Sequence, residues 1–402
     1  MKKKPNILVI TKKHNQLHRY QFKNITNKYN FSLFVVDLDI DIYIQINDFL
    51  KCNKKDFDGL ISIIDDTCQV ASLIAEKLNL FYSSPQAIAS IQNKSILFSK
   101  LKNKEYISPF EKLNDDISKL NFPLYIKPSR GTLSQNSQKI IRKNQLKIFY
   151  KKSINLPKME KSFFQKFAPE NIESFLVQEY IDFPQYTLEG YVLNNNPEVI
   201  AITESIFDKN GKSFISFNFP KSFNKKISSK VNKMVTELIN LFNFKYSVFN
   251  VEFFLDKKNS KIYFIELNTR QSPEFETLYK VKYKTSLTEM ALQVSLGNKP
   301  NLSTKKTNQM AISFISRKYQ DFLVEKLPSK LQIEKIRKKY KIQRLEIFVE
   351  KNQKLSDLRQ DSFSFRYAIY DIHGNSEKHI KEVYKQARKE LDSLITFSPV
   401  SH

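Results

Sequence analysis

Two short runs carry the residues best suited to chemistry: Val251-Glu252-Phe253-Phe254-Leu255 and Ile262-Tyr263-Phe264-Ile265-Glu266-Leu267-Asn268-Thr269-Arg270. Both are aromatic and β-branched. Asp256-Lys257-Lys258-Asn259-Ser260-Lys261 between them supplies turn residues, so the pair reads as a β-hairpin. Side chains alternate along a strand, which puts Glu266, Asn268 and Arg270 on one face. With the turn centred on Asn259, Glu252 stands directly across from Glu266. Facing carboxylates repel unless a cation lies between them. Two carboxylates and an amide oxygen suit Mg²⁺, a hard cation that keeps waters and takes its remaining ligands from phosphates. The alternative is a hairpin with one solvated, charged face, which the apolar density of both strands argues against.

The elements that must position this hairpin follow from pattern. The first ~90 residues alternate strand and helix in the manner of a βαβ sheet. Strands are expected over 7–10, 31–36 and 59–64, and a helix over 69–80. A helical segment over 91–102 leads to the break Ile107-Ser108-Pro109-Phe110. A strand over 122–127, closed by Pro128, precedes the polar loop Ser129-Arg130-Gly131-Thr132-Leu133-Ser134-Gln135-Asn136-Ser137. Residues 143–172 are basic and weakly patterned, expected as a helix and a loop. Strands follow over 175–181 and 186–193, then helices over 228–241 and 286–296, the latter stopped by Gly297 and Pro300. The remainder alternates strand and helix, ending in an amphipathic helix over 381–394.

Composition narrows the function classes. The 402 residues are 41% hydrophobic, enough for sizeable cores in several domains or subdomains. No apolar run is long enough to span a bilayer and none reads as a secretory signal, which points to a soluble cytoplasmic protein. Cys52 and Cys68 form no zinc pattern or disulfide framework, and the five histidines lack metal-ligand spacing. The net charge of +25 invites a nucleic-acid reading, but only 10 of the 66 basic residues are Arg. The lysines are scattered through every segment, so nucleic acid is not the expected partner.

Taken in order, these features resemble the ATP-grasp superfamily. They are a strand ending Lys127-Pro128, a polar loop, the run Val177-Gln178-Glu179-Tyr180-Ile181, and a hairpin with Glu252 and Glu266-x-Asn268-x-Arg270. The resemblance covers roughly 85–300 well. It implies an α/β ATP-grasp fold with an N-terminal βαβ domain (1–90), a helical connector (91–120) and a small α+β lid (121–181). A central α+β metal-binding subdomain (182–300) and a C-terminal α+β domain (301–402) would follow. By the same resemblance Glu252, Glu266 and Asn268 match Mg²⁺ ligands, with Mn²⁺ as an alternative ion. Lys127 and Lys94 match phosphate-binding lysines, and the backbone of Gln178, Glu179, Tyr180 and Ile181 matches the hinge that pairs with adenine. Gln185 stands where relatives have a ribose-binding Glu, and Phe183 replaces a Gly. The phosphate loop has Gly131 alone among hydroxyls that include Ser129 and Ser134, whose donors can cradle phosphate as glycine-loop amides do.

Arg270 would neutralise charge on the transferred phosphoryl group. Glu274 would either contact the acceptor or pair with Arg270. Arg317 resembles an arginine of biotin carboxylase-like C-terminal regions, a substrate contact unless it is a surface salt-bridge partner. The implied activity is an ATP- and Mg²⁺-dependent ligase joining a small carboxylate to an amine through an acyl phosphate. Catalysis would rest on positioning and charge neutralisation, with Lys127 and Arg270 central. A bicarbonate-using, biotin carboxylase-like enzyme is one alternative, and a non-catalytic nucleotide- or polyanion-binding scaffold is another. Dimers are usual among resembling enzymes, so a homodimer is an expectation.

Overall fold

The computed structural model describes residues 4–12, 25–53, 55–62, 64–131, 136–150, 158–167, 174–303, 309–358 and 364–400. At the N-terminus β1 (Asn6–Lys12), β2 (Asn30–Val36) and β3 (Gly59–Ser62) form a parallel sheet in the order β2-β1-β3. The apolar run Ile7–Ile10 at the centre of β1 is buried on both faces, as parallel sheets require. One face packs against helices Ile42–Cys52 and Asp65–Leu78. The other packs against helix Leu287–Ser295 and the strands beneath it. β3 approaches that helix so closely that a Cβ on Gly59 would lie 2.7 Å from the Ser295 hydroxyl.

The helix expected over 91–102 is two helices, Pro85–Gln92 and Lys94–Leu101. Asn93 ends the first and caps the second, its side chain accepting from the amides of Ser95 and Ile96. This break makes Lys94 the first residue of a helix and lets its amide donate to the Ser129 carbonyl at 2.7 Å.

β4 (Phe110–Lys112), β5 (Leu124–Pro128), β6 (Gln138–Ile140) and β7 (Phe175–Glu179) form an antiparallel sheet ordered β4-β7-β5-β6. Its apolar face closes over its own small core, including Leu124, Ile126, Phe149 and Val177.

The largest sheet contains β8 (Gln185–Leu193), β9 (Asn196–Phe207), β10 (Phe214–Lys221), β11 (Ser247–Asp256) and β12 (Lys261–Asn268). β13 (Met310–Lys318), β15 (Arg344–Ile347) and β16 (Phe365–Gly374) extend it, giving the antiparallel order β12-β11-β8-β9-β10-β13-β16-β15. β14 (Phe322–Lys326) pairs with β17 (Thr396–Pro399) at the side. The large sheet therefore runs unbroken across the boundary expected near residue 300. Helix Lys225–Phe242 buries an apolar stripe (Val231, Met234, Leu238, Phe242) against one face at the β11–β12 end. On the other face helix Glu276–Tyr283 covers Phe217, Phe219, Ile315 and Ile369. Beyond that helix, toward β12, the same face turns polar.

Candidate active site

The β11–β12 hairpin pairs Asp256 with Lys261 next to its turn. Carried on regularly, that register would set Glu252 opposite Ile265. A bulge between Glu252 and Phe253 shifts the register by one residue, so Glu252 faces Glu266 and Asn250 faces Asn268. The bulge thus creates the facing carboxylates and turns Glu266 and Asn268 away from the buried Phe264 and Leu267. It also frees the Ile265 carbonyl, which accepts from Lys127 Nζ at 3.3 Å.

On its other side Glu252 is opposite Thr187 of β8, and Asn250 is opposite Glu189. Gln185 Nε2 donates to Glu252 Oε2 at 2.7 Å. Asn268 Nδ2 donates to Asn250 Oδ1 at 2.9 Å and to Glu266 Oε1 at 3.1 Å. Lys94 Nζ stands 3.3 Å from Glu266 Oε2 and also donates to the Gly131 carbonyl. Lys127 reaches in from β5 with its ammonium 4.2 Å from the centre of the Phe98 ring.

The electrostatics reflect this crowding. Burial, followed by the charge of Glu266, pushes Glu252 up to about 8. Burial works to raise Glu266 as well, but Lys94, Asn268 and Lys127 draw it below the usual glutamate value. Burial, followed by the neighbouring Lys94, brings Lys127 down to about 7. Among the described residues Glu252 forms no ion pair, and its near partner is the neutral Gln185. Two carboxylates and an amide fit a hard divalent cation completed by phosphate or water oxygens. Among the described residues no group of three or more His, Cys, Asp or Glu side chains gathers as a metal cluster.

Comparison with protein families matches residues 120–276 to the ATP-grasp domain. The chain contains an ATP-grasp domain. It is 26% identical over 257 residues to a D-alanine–D-alanine ligase of Prochlorococcus marinus strain AS9601, covering 60% of this chain and 63% of that protein. It is 25% identical over 172 residues to a formate-dependent phosphoribosylglycinamide formyltransferase of P. marinus strain MIT 9312, covering 42% and 40%. The chain thus spans less than two thirds of the length of these curated relatives. Among solved structures it resembles an L-amino acid ligase from Bacillus licheniformis, with TM-score 0.76, 17% identity and full coverage of both chains. It also resembles N5-carboxyaminoimidazole synthetase from Staphylococcus aureus complexed with ADP, with TM-score 0.66, 15% identity, and 96% and 97% coverage. The α/β ATP-grasp fold expected of the sequence is the fold observed.

Several expected site residues are engaged otherwise than their types suggested. Ser129 is fully buried, its hydroxyl 2.5 Å from Ser95 Oγ and 2.6 Å from Ser174 Oγ. That cluster fastens the Lys94 helix to the β4-β7-β5-β6 sheet. The Gln178 side chain donates to Ser108. The amides of Glu179 and Tyr180 are committed to the carbonyls of Pro109 and Pro123. The Glu179 carboxylate accepts from Asn121. Gln185, expected at a ribose, is drawn instead to Glu252. Ser134 lies outside the described residues.

Arg270 is clamped by Asp65, with Nε and Nη2 donating to Asp65 Oδ2 at 3.0 and 2.6 Å. Of the two partners weighed for Glu274, neither forms the observed ion pair: Arg366 of β16 stands 3.6 Å away. Arg317 donates to the Phe214 carbonyl at 2.7 Å and to Ser364 Oγ at 2.9 Å.

Sequence reasoning missed Asp65, Asn250, Glu189 and Arg366. Asn250 and Glu189 were within reach of strand alternation, since they sit two and four residues from Glu252 and Gln185 on the same face. Glu189 is 1% exposed, accepts from the Ser272 amide, and is pushed by burial up to about 8. Asp65 and Arg366 are brought in by tertiary contact and left no local signal.

Proposed function

We propose that this chain is an ATP- and Mg²⁺-dependent ligase that joins a small carboxylate, an amino acid or related acid, to an amine, releasing ADP and phosphate. The observation that carries the reading is the facing pair Glu252–Glu266 with Lys94 and Lys127 converging on it. Mg²⁺, when bound by Glu252, Glu266 and the Asn268 side chain, supplies charge neutralisation between the protein carboxylates and the phosphates of ATP. Lys94 and Lys127 hold phosphate oxygens. A phosphate next to Lys127 favours its charged form and so offsets the burial that lowers its proton affinity. Gln185 fixes the Glu252 carboxylate, and Asp65 fixes Arg270 at the edge of the phosphates. Ile181 and the hinge carbonyls offer the backbone edge for adenine.

In the first step a substrate carboxylate oxygen attacks the γ-phosphorus. The bond to the bridging oxygen breaks and ADP leaves with its electron pair. In the second the amine nitrogen attacks the acyl carbon, phosphate departs with the C–O electrons, and the amine loses a proton. These residues contribute position and charge, and no nucleophilic side chain is required. Glu274 and Arg366 lie beyond Arg270 on the C-terminal side and form the acceptor end of this proposal, with a cytoplasmic setting where ATP and small acids are abundant. Among the described residues no helix is long and apolar enough to cross a membrane.

The test is ADP release with Mg²⁺ over pairwise amino-acid and carboxylate–amine panels, with bicarbonate as a separate arm. ADP formed only when both a carboxylate and an amine are present supports ligation. Release driven by bicarbonate alone transfers the chain to carboxylase-like chemistry, and an absence of both turnover and nucleotide binding removes the reading.

A further inference from the structure

Well apart from the carboxylate pair, a cleft of about 620 Å³ opens between helix Glu276–Tyr283 and helix Lys330–Lys339 with its following turn. Lys280 and Lys284 line one wall; Arg337, Lys338 and Lys341 line the other. Five of the nine lining residues are basic and none is acidic, against 66 basic residues in the 402 of the whole chain. The enrichment therefore exceeds the basic bias of the sequence. Arg337 is held by Glu334, and Lys284 donates to the Val281 carbonyl. Among the described residues Lys280, Lys284, Lys338 and Lys341 make no ion pair with a carboxylate.

Two of these lysines occupy costly backbone. Lys284 caps its helix at φ 59° and Lys341 follows its helix at φ 51°, both left-handed. Elsewhere the chain fills left-handed helix caps with Asn, at Asn79 and Asn243, the residue type that tolerates this conformation. Lysine stands at the two helix ends that face the cleft. His373 beside it is held below the ordinary imidazole value, by burial first and then by the Lys284 charge. Thr277 and Gln343 add polar groups to the lining, and Val281 and Ile342 supply little apolar surface.

We propose that this cleft binds a small phosphate-bearing polyanion at a site separate from the Glu252–Glu266 cluster. The volume is that of a small-molecule pocket rather than an extended groove. Lysine ammonium groups act as point charges suited to phosphate oxygens, while the planar forks that read nucleic-acid bases are scarce here. An occupant would link the helix that begins just after Glu274 to the C-terminal segment.

The experiment measures binding of inorganic tripolyphosphate and of a sugar bisphosphate by calorimetry on the full chain, in EDTA so that the Mg²⁺-dependent cluster is not loaded. At least one probe binds, and the tighter of the two identifies the inorganic or the organic source. The variant Lys280→Gln/Lys284→Gln/Lys341→Gln weakens binding by about tenfold or more. A control variant, Lys51→Gln/Lys209→Gln/Lys258→Gln, stays within about twofold of the parent. Because two of the cleft lysines cap helices, Lys280→Gln/Lys338→Gln repeats the measurement at ordinary helical positions. The proposal is overturned if neither probe binds, or if the cleft variants bind as the parent does. It is equally overturned if a single-stranded oligonucleotide uses the same lysines more tightly than both probes.

Discussion

The polar face of the large sheet is built in two ways. Around β12, β11 and β8 its charged groups stand on adjacent strands at register positions: Glu266 opposite Glu252, Asn268 opposite Asn250, Asn250 opposite Glu189. Around β13, β16 and β15 the charges stand beside opposite charges, with Arg344 at the register position facing Asp371. Glu274 finds Arg366, and the buried Arg344 stands 3.8 Å from Asp371 and contacts Glu346. In the first group two carboxylates face each other, and of the two Glu266 has Lys94 as its ion-pair partner among the described residues. The second is largely compensated internally. A cluster whose like charges are left facing is suited to a ligand that brings the missing charge, whereas a compensated one positions side chains and tunes what they contact.

The largest expected effect comes from breaking the facing pair. Glu266→Gln lowers ADP release by about a hundredfold or more, because the charge removed acts where phosphoryl transfer occurs. The same substitution at Glu274 leaves the ATP dependence intact and raises the KM of the carboxylate or amine substrate by about tenfold. If the two variants show the same kinetic signature, the division between the ends of the sheet is wrong. Between these in severity lies Asp65→Asn. It leaves the buried Arg270 guanidinium without its carboxylate and destabilises the chain by about 3 kcal/mol, read as a lowered unfolding midpoint in urea.

A smaller effect is expected from pH. Glu252 and Glu189 are both held near 8 by burial, above the ordinary value of 4.5 that they recover on unfolding. Between those values the folded chain binds more protons than the unfolded one. The stabilisation is complete below 4.5 and gone once pH passes about 8. Thermal melts in EDTA should show the midpoint falling across this window, and Glu189→Gln should flatten the fall. Added Mg²⁺ should restore stability at the alkaline end. A flat profile in EDTA would mean that the carboxylates are not buried as described.

Much of the first group was legible because it is local. The aromatic runs, the turn and the period of two place Glu252, Glu266 and Asn268 from sequence, and the bulge at Glu252/Phe253 preserves the expected pairing despite a shorter turn register. The lysines were legible as well, although the Asn93 cap that positions Lys94 was absorbed into one continuous helical pattern. What failed did so where a partner lies far along the chain. Arg270 reads as free until Asp65, 205 residues away, is folded against it. Ser129 reads as a phosphate donor, while Ser95 and Ser174 enclose its hydroxyl. Gln185 keeps the chemistry of a hydrogen-bonding residue, but the nearest acceptor is Glu252. Strand pairing between β10 and β13 joins residues on either side of position 300 in one sheet, a connection that local pattern does not signal.

The central claim is that Glu252 and Glu266 face each other to hold a divalent cation for nucleotide phosphates. Calorimetric titration of ADP into the full chain, with and without Mg²⁺, tests it most directly when repeated on Glu252→Gln/Glu266→Gln. The account predicts Mg²⁺-dependent binding by the parent chain and loss of that dependence in the variant, with unfolding no earlier than in the parent. Undiminished Mg²⁺-dependent ADP binding by the well-folded double variant would contradict it.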